Sequence, residues 1–164
     1  MNEIEIKQKI RFSTVAAAID LTPKAFRNWL QRYELHLSSD YRTRGWTEFT
    51  VGDVAVLALT RELVSWGVGV EAANEFAYVV VMKKAKPLFH YRNTPAAALL
   101  QLFSGYVICL HAPDDAEGPR LILDPDLEGY CPGNFKSALW VNVHHVVNEA
   151  FARLASRTED EATA

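Results

Sequence analysis

Lys24, Arg27, Asn28, Gln31 and Arg32 recur at spacings that gather them on one side of a helix. Ammonium, guanidinium and carboxamide groups in that arrangement suit phosphate oxygens and the base edges of a DNA major groove. The same groups also suit the solvated side of any amphipathic helix, so the neighbouring elements must decide. A second basic pair, Arg42 and Arg44, precedes Gly45, where the matching chemistry is phosphate contact. Other constellations carry less. His145 and Glu149, four apart beside His144, suit a divalent cation, but no Cys or further His, His111 included, stands at ligand spacing, and no metal is expected. Asp114, Asp115 and Glu117 adjoin Gly118-Pro119 and read as a hairpin tip rather than an acid cluster for catalysis. Cys109 lies in an apolar run, and Cys131 precedes Pro132-Gly133 in a loop, where a thiol is more reactive. The two cysteines lack metal spacing and read as free thiols. No nucleophile motif and no phosphate-cradling glycine loop occurs, so neither an enzyme nor a cofactor is expected.

The elements that must position the basic face follow from local signals. Thr22 caps and Pro23 suits the first helical position, while Phe26, Trp29 and Leu30 supply the opposite, apolar side. A preceding helix is expected from about Val15 to Ile19, capped by Ser13 or Thr14, with three alanines that permit close approach of a second helix. Asp20-Leu21 forms the turn, with Asp20 left-handed. His36 to Phe49 is polar, contains glycine and ends in aromatics, which suits a β-hairpin anchored by Trp46 and Phe49. Thr50 with Asp53 makes a capping box for a helix through Val54, Leu57, Leu59, Leu63 and Val64, closed at Gly67. Glu71 to Met82 makes the next helix, with Lys83, Lys84 and Lys86 at its end, where cations favour the helix dipole.

Pro87 marks a break. Beyond it the pattern changes to a helix over Pro95–Phe103 closed by Gly105, strands at Tyr106–His111, Leu121–Leu123 and Ser137–Val143, and a helix carrying Val147, Ala150, Phe151 and Leu154. The near-heptad spacing of Val143, Val147, Ala150 and Leu154 suits a helix–helix seam between two copies. The expected fold class is α+β: a helical unit with a β-hairpin over 10–86, a small α/β segment over 87–157 for dimerisation or sensing, and a disordered tail over 158–164.

The 164 residues carry a net charge of −3 and are 49% hydrophobic, enough for one globular domain or two small ones. Charge is unevenly spread: from Lys7 to Arg44 eight Lys/Arg face three acids, and from Tyr91 to Ala164 five face ten. A basic N-terminal part beside an acidic C-terminal one fits a DNA reader with a second module. No apolar run approaches the roughly 20 residues needed to cross a bilayer. No secretion signal opens the sequence, so a cytoplasmic location without membrane contact is expected.

Taken in order, Val15-Ala16-Ala17-Ala18-Ile19, Leu21-Thr22-Pro23, Phe26-Arg27-Asn28-Trp29, Gly45-Trp46-Thr47-Glu48-Phe49-Thr50, Asp53-Val54, Leu57 and Leu63 to Val70 resemble the MerR-type winged helix-turn-helix. The likeness covers about two fifths of the chain, without a gap from Trp46 to Phe76. It implies a transcription regulator that binds double-stranded DNA as a homodimer, through Lys24, Arg27, Asn28, Gln31 and Arg32 on the recognition helix and Arg42 and Arg44 on the wing. Two departures stand out. Thr47 and Glu48 replace the basic residue that usually follows the wing aromatic, and no long coiled-coil helix follows Pro87. The metal-sensing cysteine pattern of some members is absent. Three other functions share the resemblance: an excisionase or phage-type architectural DNA-binding protein, a protein-interaction adaptor on a degenerate winged helix, and a regulator whose C-terminal segment senses a small-molecule effector.

Overall fold

The computed structural model describes residues 4–5, 8–38, 48–88, 94–105, 107–113, 120–123 and 135–163. Its centre is the helix α3, Val51–Ser65. Every residue from Val51 to Thr60 is buried, as is Leu63. A helix apolar all round belongs in the middle of a fold rather than at its surface, and three of the other helices pack against this one. Thr50 starts it: its Oγ1 accepts from the Asp53 N–H at 3.2 Å while the Asp53 carboxylate accepts from the Thr50 N–H at 2.9 Å. That reciprocal pair is the expected capping box. The helix ends at Gly67, whose φ of +90° suits glycine, with the Val68 N–H reaching the Leu63 carbonyl and the Gly67 N–H the Val64 carbonyl.

Before α3 come β1 (Ile10–Arg11), α1 (Phe12–Ala18), α2 (Pro23–Arg32) and β2 (Glu48–Phe49). α1 begins earlier than its sequence signals suggest: Arg11, not Ser13 or Thr14, is the capping position, and no side chain closes it. β2 pairs with a strand that precedes α1, and most of the expected hairpin, 39–47, lies outside the described residues. β2 lies antiparallel to β1, with Ile10 opposite Phe49 and Arg11 opposite Glu48, and both Ile10 and Phe49 are buried. A two-residue strand offers too few residues for alternation to show, so its partner is found by burial alone.

After α3 come α4 (Val70–Ala85), α5 (Ala96–Leu102), β3 (Val107–Pro113), β4 (Arg120–Leu123), β5 (Phe135–Asn142) and α6 (Val143–Thr163). Glycine again closes a helix at Gly105, φ +69°. The three strands form an antiparallel sheet in the order β4-β3-β5, with β3 at the centre and an irregularity between Ala112 and Pro113. Ile108 and Val141 stand opposite each other and are buried.

α6 packs against α1 and α3 as well as α5, β3 and β5. This corrects the expected seam between two copies. Val143, Val147, Ala150 and Leu154 are all wholly buried in a single chain, with Phe151 beside them. The small residues Ala16, Ala18 and Ala58 are buried too and let the helices lie close. The helix also continues to Thr163, through most of the segment whose charged and small residues suggested a disordered tail. The buried residues make one cluster from Ile10 to Leu154. The N-terminal end joins the same body: the Ala96 N–H donates to the Ile4 carbonyl at 2.7 Å, and Glu5 bridges to Pro95. Among the described residues no helix is long and apolar enough to cross a membrane.

Candidate nucleic-acid interface

The turn between α1 and α2 is the tightest part of the interface. α1 ends at Ala18, and Asp20 adopts φ +53°, the left-handed conformation expected of it. The Leu21 N–H then reaches back to the Ala16 carbonyl at 2.9 Å and the Asp20 N–H to Ala17 at 3.2 Å. Each helix leaves its last carbonyls without intrahelical donors, and these two bonds satisfy two of them. A third, that of Ala18, accepts from Arg153 Nη1 of α6 at 3.0 Å. The other arm of that guanidinium holds Glu149 at 3.1 Å, and Glu149 also meets His145 Nε2 at 3.1 Å. The His145 and Glu149 side chains thus meet in an exposed contact; among the described residues no group of three His, Cys, Asp or Glu is placed to hold a metal.

α2 starts as its sequence dictates: Thr22 Oγ1 accepts from the Ala25 N–H at 3.2 Å and Pro23 follows. Phe26 is its buried anchor, while Trp29 and Leu30 are half-buried against the core. Lys24, Arg27, Asn28, Gln31 and Arg32 are all exposed, and no acid occupies the first turn. The structure thus brings five of the seven expected contact residues onto one open face. Arg42 and Arg44, with Trp46, lie outside the described residues.

Aromatic rings fix how that face is presented. Phe26 stacks on Phe12 of α1 with centroids 4.9 Å apart and planes inclined by 13°, and meets Phe49 of β2 at 5.4 Å and 43°. α2 is so held between α1 and β2. The Arg27 guanidinium lies over the Phe12 ring, 5.5 Å from its centroid. Phe12 was not among the residues that sequence reasoning selected, because it sits ahead of the expected start of α1. The available signal was an aromatic beside the basic Arg11.

The chain leaving α2 is anchored by two buried polar groups. Asn74 of α4 accepts from the His36 N–H at 2.6 Å. Asp53 of α3 accepts from the Ser38 N–H at 2.6 Å and from the Ser38 hydroxyl at 2.9 Å. Both side chains are wholly buried, and Asn74 also donates to Thr60 Oγ1 at 3.4 Å. Buried polar groups of this kind persist where they are satisfied, and here the partners are the backbone at His36 and Ser38. At the far side, Glu48 pairs with Lys9, which offsets the acid that departs from the MerR-type pattern.

No curated protein matches the chain. Residues 10–78, which hold the turn, the exposed face and both backbone anchors, match the family model described as MerR HTH family regulatory protein.

Proposed function

We propose that the chain is a sequence-specific transcription regulator that inserts α2 into the DNA major groove. The observation that carries this reading is the open stripe of Lys24, Arg27, Asn28 and Gln31, with Arg32 at its end, on a helix fixed at its start, its buried side and its exit. Arg27, Asn28 and Gln31 have the donor and acceptor geometry that reads base edges, and Lys24 and Arg32 suit phosphates. Arg42 and Arg44 are assigned to phosphate contact on the wing. A single small module makes few phosphate contacts, so useful affinity calls for a homodimer on a two-fold site. Because the apolar stripe of α6 is buried within one chain, that dimer uses a different surface. The reading carries with it a cytoplasmic location, where the DNA is, and requires neither a cofactor nor an effector.

Selection from random-sequence DNA, followed by affinity measurement at two salt concentrations, tests it. A two-fold symmetric consensus is expected. Arg27→Ala should weaken binding to that consensus by about 1–3 kcal/mol. Equal affinity of a folded Arg27→Ala protein would remove the DNA-reader assignment, and an asymmetric single half-site would remove the dimer.

A further inference from the structure

We propose that Phe12, on α1 and outside the recognition helix, is a positioning residue that presents the Arg27 guanidinium to DNA. The inference rests on the DNA-reading function of α2. Arg27 is exposed, and among the described residues no carboxylate forms an ion pair with it. A long exposed side chain of this kind samples many rotamers, and ordering it on DNA costs entropy. Here one contact narrows that freedom: the guanidinium lies 5.5 Å from the centroid of the Phe12 ring, within cation–π range. The ring is itself fixed. It stacks on Phe26, with centroids 4.9 Å apart and planes only 13° from parallel, and Phe26 is wholly buried. Arg27 is thus set on a two-ring platform rooted in the core. Phe12 is half-buried, so part of the platform meets solvent beside the charge.

Arginine suits this arrangement better than lysine. Its planar guanidinium can rest one surface on an aromatic ring while its edge keeps the N–H fork free for a base or a phosphate. Phe12 contributes no hydrogen bond to DNA in this account. It lowers the cost of holding Arg27 where the hydrogen bonds form, so its influence passes entirely through Arg27.

A double-mutant cycle on the full chain tests this, with affinity for the selected DNA site measured for wild type, Phe12→Leu, Arg27→Gln and the double variant. Phe12→Leu should weaken binding about two- to fivefold, the range of an exposed cation–π contact. The same change in the Arg27→Gln background should have no effect. Phe12→Tyr, which keeps a ring in place, should bind as wild type does. An equal loss from Phe12→Leu in both backgrounds would overturn the proposal, because Phe12 would then act through packing alone. Wild-type affinity in a folded Phe12→Leu protein would overturn it as well. If Phe12→Leu fails to fold, the Tyr variant decides: loss of affinity there, with the melting temperature intact, also overturns it. Failure of wild type to select any DNA sequence would instead remove the DNA-reading function and this inference together.

Discussion

Arg153 shows how one side chain can serve two elements. Its guanidinium reaches the Ala18 carbonyl at the end of α1 and the Glu149 carboxylate on its own helix. The first bond completes the turn on which α2 is mounted, and a point charge such as lysine cannot serve both acceptors with the same geometry. The side chain is partly exposed, so water competes for its partners. Arg153→Ala is expected to lower stability by about 1 kcal/mol, read from the denaturant midpoint at unchanged slope. This residue was not legible in the sequence, because it stands 135 positions from the carbonyl it meets. Thr22, Thr50 and Asp53 were legible, since each cap acts within three residues of its partner. Asp20 was legible as well, as a turn residue tolerant of the left-handed conformation.

At the scale of elements, α3 and α4 together hold the exit from α2. Asn74 satisfies the His36 N–H, and its ring neighbour Tyr78 lies 5.7 Å from the His36 ring. Removing the carboxamide leaves a part-buried backbone donor without its partner. Asn74→Ala should cost about 1–3 kcal/mol, and hydrogen exchange at His36 should accelerate more than at amides inside α3. Sequence periodicity placed α3 and α4 correctly, because α3 carries a long run of buried apolar residues and α4 buries Ala73, Ala77, Val80 and Val81 at helical spacing. It could not show that an Asn in the second would grip a loop 38 residues earlier. Strand pairing was only partly readable for the same reason. β3 and β4 were recognisable as neighbours, whereas the pairing of β1 with β2 joins Ile10 to Phe49 across two helices.

In the whole molecule, α6 is built into the body that presents α2. Val143, Val147, Phe151 and Leu154 each contribute about 1.5–3 kcal/mol by leaving water, against a total stability of about 5–15 kcal/mol for a protein domain. A chain ending at Asn142 should therefore show no cooperative thermal transition by circular dichroism and no DNA binding. A sharp transition in that shortened chain would mean that the N-terminal helices hold together alone. The near-heptad spacing on α6 was visible in the sequence; which surface it would meet was not. Burial against α1 and against a second copy require the same apolar spacing, and only the folded chain distinguishes them.

That arrangement has a consequence for how the protein comes into being. Ala18 and Arg153 meet across 135 residues of chain. At a synthesis rate of about 5–20 residues per second, roughly 7 to 27 s separate the emergence of the two. During that interval the alanine-rich side of α1 and the neighbouring side of α3 wait on the ribosome without their cover. The helix α2, although it precedes α6 in the chain, is fully supported only once α6 has emerged. Fragments that end before α6 should thus carry every residue proposed to contact DNA and yet bind DNA poorly.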